Sequence, residues 1–211
     1  MNTPTPSAPD SKTRIALFLP DLTEGGAERI MLNLARELAE GEWSGTSFAV
    51  DLVVAQAVGP YLKQVAPSVR LVDLKSSGTL ASLPQLARYL RREKPVAMLS
   101  ALDRANVAAL WARKLTRVST RMVISIHNTM SVEHSQAPHL KAKLMFLFAR
   151  RSYGLADAIV TVSNGAADDL SRTLGIPRDR VRVIYNPVVS PAMLAAAKEP
   201  LDHPWFVAGQ P

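Results

Sequence analysis

Residues 14–28 have the sequence R-I-A-L-F-L-P-D-L-T-E-G-G-A-E, in which an apolar run stops at a proline and a glycine pair precedes a helical pattern. Ile15–Leu19 predicts a buried parallel strand, and Ala27–Glu40 predicts the helix that follows it. Gly25 and Gly26 allow a tight turn and a close approach of the backbone to an anion at the positive end of the helix. A glycine pair can also serve only to start a helix, so both interpretations stay open at this point.

Strand and helix patterns alternate along the rest of the chain. Seven strands separated by helices of about ten or more residues predict an α/β fold with a doubly wound parallel sheet, which binds ligands at the carboxyl ends of its strands. The further predicted strands are Phe48–Gln56, Val69–Leu74, Val96–Ser100, Arg121–Ile126, Ala158–Val162 and Val181–Ile184, and the further helices are Pro60–Val65, Leu80–Glu93, Asn106–Leu115, His139–Tyr153 and Asn164–Leu174.

Length and composition predict one globular domain with flanking segments. The 211 residues are 47% hydrophobic and 20% charged, which suits a single domain with a sizeable core. The absence of cysteine excludes a disulfide framework and thiolate metal sites, and is compatible with a reducing cytoplasm. No apolar run approaches the roughly 18 residues of a membrane span. We expect a disordered leader at 1–12, which lacks the features of a signal peptide, a Rossmann-like domain at 13–187, and a proline-containing interdomain linker at 188–211.

Positive charge is concentrated between Arg104 and Ala156. This segment holds nine Lys or Arg and one acidic residue, Glu133, in a chain with a net charge of +7. Such a surplus attracts anionic lipid, polyphosphate or nucleic acid, although a solvated basic face with no partner remains the simpler alternative. The predicted helix within it has apolar residues at 140, 144, 147 and 148, surrounded by Lys141, Lys143, Arg150 and Arg151.

A basic amphipathic helix of this kind is typical of proteins that lie on an anionic membrane surface. Basic residues that flank an ordinary buried helix are the alternative, because long charged side chains often cover apolar surface. We therefore predict a cytoplasmic protein with a peripheral position on the inner face of the cell membrane.

Polar residues follow four of the predicted strands. Since the carboxyl ends of parallel strands meet at one edge, these residues predict a substrate cleft. His127 comes directly after an apolar strand, and a neutral imidazole there can bind and orient a hydroxyl group without a shifted pKa. A histidine satisfied by local backbone groups is the alternative. Ser163 is also the predicted N-cap of the next helix. The predicted cleft residues are Glu24, Asp103, Asn128, Ser163 and Asn164.

The segment E-G-G-A-E-R at 24–29, followed by I-M-L-N-L-A-R-E-L, resembles the N-terminal start of the retaining GT-B glycosyltransferases of family 4. H-N-T at 127–129, V-S-N-G at 162–165 and Y-N-P-V at 185–188 are similar to the family as well. The resemblance implies that Gly25, Gly26 and His127 lie close to the diphosphate and transferred sugar of a nucleotide-sugar donor, and that Glu28 and Arg29 support the loop.

The resemblance also implies the partners of the chain. It implies a nucleotide-sugar substrate with no separate cofactor, a glycan or lipid-linked acceptor of the cell envelope, and a C-terminal domain that carries most of the donor-binding groups. Family mechanism is usually written without a protein nucleophile, so no catalytic residue is assigned. We expect the 211 residues alone to be inactive.

Other classes of protein and site fit the sequence less well. The first turn lacks the G-x-G-x-x-G of a dinucleotide-binding oxidoreductase and the G-K-S/T of a P-loop. His134, His139 and Glu133 share a short loop, which seldom supplies a metal geometry without further ligands, so we predict an acceptor-binding loop and no metal site. A basic α/β module that binds nucleic acid or anionic lipid without catalysis is the remaining alternative. An aromatic content of 6% offers little base stacking, and no nucleic acid is expected.

Overall fold

The computed structural model describes residues 12–23, 25–132, 140–188, 194–195 and 197–199, with the backbone alone at 140–145. Seven strands form one parallel sheet in the order β3-β2-β1-β4-β5-β6-β7. The predicted α/β fold with a doubly wound parallel sheet is confirmed. The strands are β1 Thr13–Leu19, β2 Phe48–Val54, β3 Val69–Asp73, β4 Ala97–Ala101, β5 Arg121–Ile126, β6 Ala158–Thr161 and β7 Val181–Val183.

Helices pack on both faces of the sheet. The described α-helices of ten or more residues are α1 Gly26–Glu40, α2 Leu83–Glu93, α3 Asp103–Thr116, α4 Leu140–Ser152 and α5 Asn164–Leu174, and 3-10 helices cover Pro60–Gln64, Tyr153–Leu155 and Arg178–Arg180. None of the described helices is both long enough and apolar enough to cross a lipid bilayer.

The alternation of β1 divides the core into two clusters. Leu17 and Leu19 pack with Met31 of α1 on one face, while Ala16 and Phe18 pack on the other face with residues of α2, α3 and α5. Both sets are almost fully buried, as expected of a central parallel strand covered on two sides. β1 therefore fixes the centre of the fold, and the strand order reverses between β1 and β4.

Most predicted boundaries lie within a few residues of the observed ones. β5 and α5 have the predicted limits. α2 begins at Leu83 and not at Leu80, because the preceding residues form turns that end with Ser82 donating to the Thr79 carbonyl. α3 begins at Asp103 and not at Asn106, since Leu102 takes a left-handed conformation (φ 75°) that turns the chain directly from strand to helix. The leader and linker predicted at the two ends lie largely outside the described residues.

A group of charges joins the first three strands near their amino-terminal halves. Asp51 of β2 is fully buried and accepts hydrogen bonds from Arg14 (2.7 Å), Arg70 (2.8 Å) and the Tyr89 hydroxyl (2.6 Å). Glu93 completes the set by pairing with Arg70 at 2.7 Å. Hydrogen bonding to Asp51 raises the pKa of Arg70, and burial followed by the Asp51 hydrogen bond raises the pKa of Tyr89. We call these five residues the Asp51 cluster.

Candidate functional site

The loops that carry the predicted site residues lie at one edge of the sheet. β1, β4, β5 and β6 are neighbours in that order, and all four run in the same direction. The register pairs Ala101 with Ser125 and Ile126 with Thr161. The loops that follow β4, β5 and β6 therefore begin at about the same height along the strand direction. The fold thus brings Gly25, Gly26, Asp103, His127, Asn128, Ser163 and Asn164 to the same edge, whereas Glu24 lies outside the described residues.

The two glycines of the first turn have different surroundings. Gly25 is the extended N-cap of α1, and its carbonyl accepts from the Arg29 amide at 3.2 Å. A side chain at Gly25 would overlap the carboxylate of Glu28, which folds back over the helix start and is 9% exposed. Gly26 faces open space among the described residues, because nothing beyond its chain neighbours and its own helix backbone lies within 4 Å of the position of an added Cβ. The approach to the first turn of α1 is therefore open at Gly26, while Glu28 covers Gly25.

Gly59 fixes the loop that carries this turn. The residue has φ 111°, and a Cβ at Gly59 would overlap the backbone of Leu22 and Thr23. The Leu22 amide donates to the Val58 carbonyl at 2.9 Å, and its carbonyl accepts from the Tyr61 amide at 3.2 Å. The segment after β2 therefore clamps the loop after β1, in a conformation that only glycine adopts without strain.

His127 is half-buried at the end of β5 and is held by a neighbouring serine. Its Nε2 lies 3.0 Å from the Oγ of Ser125. Burial lowers the pKa of His127, which favours the neutral ring at pH 7. A neutral ring has one donor and one acceptor nitrogen, and with Nε2 in contact with Ser125 the other nitrogen remains to bind a hydroxyl or phosphate oxygen.

Two buried polar residues support β5 from the direction of β4. The Ser100 hydroxyl donates to Asn106 Oδ1 at 2.7 Å, and Asn106 Nδ2 donates to the Ser125 carbonyl at 3.1 Å. Ser100 and Asn106 are fully buried. They link β4, α3 and β5, and they do not line an open cleft.

Asp103 begins α3 and accepts a hydrogen bond from the fully buried Tyr153 at 2.7 Å. The carboxylate lies at the positive end of its own helix, where it is favoured electrostatically. Tyr153 ties this end of α3 to the segment that follows α4. Asp103 is thus at the predicted edge but is already engaged by the protein.

Ser163 and Asn164 begin α5. The Ser163 hydroxyl accepts from the Ala166 amide at 3.1 Å, so the predicted N-cap is confirmed. Asn164 accepts from Arg178 at 3.1 Å and donates to the Tyr185 hydroxyl at 3.3 Å. These contacts connect α5 with the segment on either side of β7.

The loop after β5 is anchored to α5. The Ser131 amide donates to Asp169 at 3.0 Å, and Asp169 is 6% exposed. Burial alone would raise the pKa of Asp169, but hydrogen bonds from Ser131 and the Met130 backbone, together with the positive charge of Arg172, outweigh it and lower that pKa. The half-buried Asn128 lies between His127 and this anchor. Both residues therefore stand on a loop that is held at its two ends.

Glu133, His134 and His139, the residues of the predicted acceptor-binding loop, lie outside the described residues. Within the ranges that are described, no group of three or more His, Cys, Asp or Glu is placed to hold a metal ion.

α4 presents an apolar and basic surface away from the core. Ala149 is buried, whereas Leu147 and Phe148 are 54% and 52% exposed beside the exposed Arg150 and Arg151. The predicted apolar face that includes Leu147 and Phe148 is thus turned outward at these two residues. Lys141 and Lys143 lie in the helix, and only their backbone is described.

Several supporting residues were not among the predicted site residues. Ser125 looks like an ordinary polar residue of a strand, and the signal for its contact with His127 is the spacing of two residues, which places both on one face of an extended chain. Arg178, which binds Asn164, follows a proline in a short segment with no recognisable pattern. Gly59 offers a usable signal, since a glycine in a loop often marks a positive φ or a close approach of the backbone.

Comparison with known proteins agrees with this architecture. The family model of Glycosyltransferase Family 4 matches residues 24–190. A search of curated protein sequences finds no match. Among solved structures, sucrose-phosphate synthase from Thermosynechococcus elongatus aligns with a TM-score of 0.64 and 15% identity, over 82% of this chain and 48% of that one. HepE from Anabaena, in complex with UDP and glucose, aligns with a TM-score of 0.58 and 19% identity, over 87% of this chain and 48% of that one.

The same fold also occurs in an enzyme of another class. UDP-GlcNAc 2-epimerase from Neisseria meningitidis, bound to UDP-GlcNAc, aligns with a TM-score of 0.56 and 18% identity, over 88% of this chain and 50% of that one. The chain thus spans about half the length of the solved structures it matches. At these identities the structural likeness shows the fold, and the family model shows the family. The chain belongs to glycosyltransferase family 4, with the fold of the N-terminal domain of a GT-B enzyme.

Proposed function

We propose that this domain is the acceptor-side half of a retaining glycosyltransferase, which transfers a sugar from a nucleotide-sugar to an acceptor. One observation carries the proposal: the open helix start at Gly26 and the neutral imidazole of His127 lie at the same edge of the sheet, with only β4 between their strands. The first can bind phosphate oxygens with backbone N–H groups, and the second can bind a sugar hydroxyl.

The nature of the donor is supported by two of the structural neighbours. HepE is described in complex with UDP and glucose, and the Neisseria epimerase is described bound to UDP-GlcNAc. A nucleoside diphosphate linked to a sugar combines the two groups that the turn and the histidine can recognise. We propose such a molecule as the substrate, with no separate cofactor.

Gly25 and Gly26 are proposed to have different roles in the first turn of α1. Gly26 gives the diphosphate access to the first turn of α1. Gly25 lets Glu28 fold back, and the negative charge of Glu28 lowers the affinity of the helix start for a second anion. We expect the diphosphate contact in this domain to be weak by itself. The 211 residues, which cover about half of each neighbour, are proposed not to transfer sugar alone.

Asn128, Ser163 and Asn164 are proposed to line the cleft beside His127, and Asp103 is proposed to border it. The hydroxyl of Ser163 is used by its own helix, and Asn164 is shared with Arg178 and Tyr185. Their part is therefore to shape the wall of the cleft. No described residue is assigned as a catalytic base.

The outward surface of α4 favours an acceptor held at a membrane. Leu147 and Phe148 expose about half of their area next to Arg150 and Arg151, which suits insertion among anionic lipid headgroups. We propose a peripheral position on the inner face of the cell membrane and a lipid-linked or cell-envelope acceptor. Co-sedimentation with vesicles that contain anionic lipid, lost in Leu147→Asp/Phe148→Asp and kept in Leu71→Asp on the far edge strand, would support it.

Two other functions would give different experimental results. A sugar-nucleotide 2-epimerase would convert UDP-N-acetylglucosamine into its 2-epimer without an acceptor. A nucleic-acid module would bind RNA at physiological salt, and the family match does not favour it.

The proposal is tested by ligand-detected NMR with UDP-glucose. Gly26→Asp places a negative charge in the open approach and, as an acidic residue at a helix start, is not expected to destabilise α1. We expect it to weaken binding at least about tenfold, or about 1.4 kcal/mol. The matched control is Gly78→Asp, at another glycine with open space around it. Equal binding by both variants would contradict the proposal, and sugar transfer by the 211 residues would contradict their inactivity.

A further inference from the structure

The ring of His127 rests against a buried hydroxyl. Ser125 is 7% exposed, and its Oγ is 3.0 Å from His127 Nε2. A neutral imidazole protonates only one of its two nitrogens, and the hydrogen bond made by one nitrogen decides the role of the other. The contact with Ser125 therefore bears on which nitrogen is available to a ligand.

The direction of this hydrogen bond follows from the number of partners. Among the described residues, His127 is the partner found for the Ser125 hydroxyl. If Oγ accepted a proton from Nε2, the proton of the serine would be buried without an acceptor, which is unfavourable. If Oγ donates to Nε2, the hydroxyl is satisfied and the proton of the ring resides on Nδ1.

Ser125 is itself held in place from β4 and α3. Its carbonyl accepts from Asn106, and Asn106 accepts from Ser100, with both of these residues fully buried. The position of the serine is thus set by the fold and does not depend on a ligand. Ser100 and Asn106 thus support Ser125, which in turn contacts the histidine.

We propose that Ser125 is a positioning residue that holds His127 as the neutral tautomer protonated on Nδ1. In this form Nδ1 is a hydrogen-bond donor, so the group that His127 recognises is an oxygen that accepts, such as a sugar hydroxyl or a phosphate oxygen. The identity of this ligand rests on the function proposed above, whereas the tautomer is a property of the free chain.

The test is a long-range ¹H–¹⁵N spectrum of the ¹⁵N-histidine-labelled chain at pH 7.5, in which protonated and unprotonated ring nitrogens have separate shifts. His127→Gln identifies the signals of this ring among the four histidines. We expect Nδ1 to be protonated in the wild type. Ser125→Ala should lose this preference and give a mixture of tautomers, and Ser125→Thr, which keeps the hydroxyl in a strand, should restore it. Backbone amide spectra show whether each variant is folded.

Protonation on Nε2 in the wild type, or an unchanged Nδ1 tautomer in a folded Ser125→Ala variant, would overturn the proposal. A second arm adds UDP-glucose at millimolar concentration. We expect UDP-glucose to shift the His127 signals in the wild type and in Ser125→Thr. In Ser125→Ala the UDP-glucose concentration at half-saturation should be about 2- to 10-fold higher. If the tautomer is as proposed and UDP-glucose shifts nothing, the positioning by Ser125 stands and the proposed function fails.

Discussion

The amino-terminal half of the first three strands and the carboxyl edge of β1, β4, β5 and β6 use polar residues in opposite ways. In the Asp51 cluster, a fully buried carboxylate is surrounded by two arginines and a tyrosine hydroxyl, so its charge is matched inside the protein. At the carboxyl edge, Gly26 faces open space and His127 is half-buried with one nitrogen engaged. Polar groups that hydrogen-bond to one another inside the protein support the fold, whereas polar groups that keep an unused donor or acceptor can bind a ligand.

The support of the carboxyl edge depends most on Gly59. Gly59→Ala forces a residue with φ near 111° into a glycine-only conformation and places a methyl group against the Leu22 backbone. We expect a loss of about 3–5 kcal/mol in the free energy of unfolding, from strain and overpacking together. Urea denaturation measures it, with Gly78→Ala as the control because that glycine has open space and no positive φ. A loss below about 1 kcal/mol in the free energy of unfolding would show that the close contact between Gly59 and the Leu22 backbone is not needed for stability.

The Asp51 cluster should contribute to stability and not to binding. Asp51→Ala leaves Arg14, Arg70 and the Tyr89 hydroxyl without their shared acceptor. Because the two arginines are 33% and 45% exposed, solvent screens the pairs, and breaking them should cost less than breaking a fully buried ion pair. We expect Asp51→Ala to lower the free energy of unfolding by about 2–4 kcal/mol.

Urea denaturation again gives the value, and the exposed Asp179→Ala is the control, expected within about 0.5 kcal/mol of the wild type. UDP-glucose binding by the folded fraction of Asp51→Ala should equal that of the wild type. A selective loss of binding would mean that the two regions are coupled.

The opposite pattern is expected for His127. His127→Ala removes the hydrogen bond that we propose between the ring and the sugar, so UDP-glucose should bind about 2- to 10-fold more weakly while the affinity for UDP alone is unchanged. The comparison of the two ligands is internal to the variant and needs no second substitution. An equal loss for UDP and UDP-glucose would place the histidine at the phosphates and not at the sugar.

The smallest effect is the dependence of stability on pH. Burial lowers the pKa of His127 in the folded state, so below about pH 6.5 the unfolded chain takes up a proton that the folded chain does not. The free energy of unfolding therefore falls as the pH decreases from about 6.5 towards the folded-state pKa. His127→Asn should remove this part of the decline between pH 7.5 and 5.5. Parallel curves for the wild type and the variant would show that burial does not affect the histidine.

The sequence is sufficient to predict the sheet and to place the candidate site residues at one of its edges. Apolar runs, glycines and a serine cap are local signals, which is why β5 and α5 were predicted at their observed limits. The Asp51 cluster could not be predicted, because it depends on the register that pairs Asp51 with Arg70 across two strands. The contact between Ser125 and His127 depends in the same way on how the chain turns after β5. Long-range register and loop direction are properties of the packed chain.

The most direct measurement of the central claim is a ¹⁵N amide spectrum of the 211-residue chain titrated with UDP-glucose. We expect shifts at Gly25, Gly26 and the residues around His127 and Ser163, together with unchanged signals at Arg14, Asp51 and Arg70. Shifts confined to the Asp51 cluster or the surface of α4, or no shifts at any residue, would contradict the assignment of the carboxyl edge as a nucleotide-sugar site.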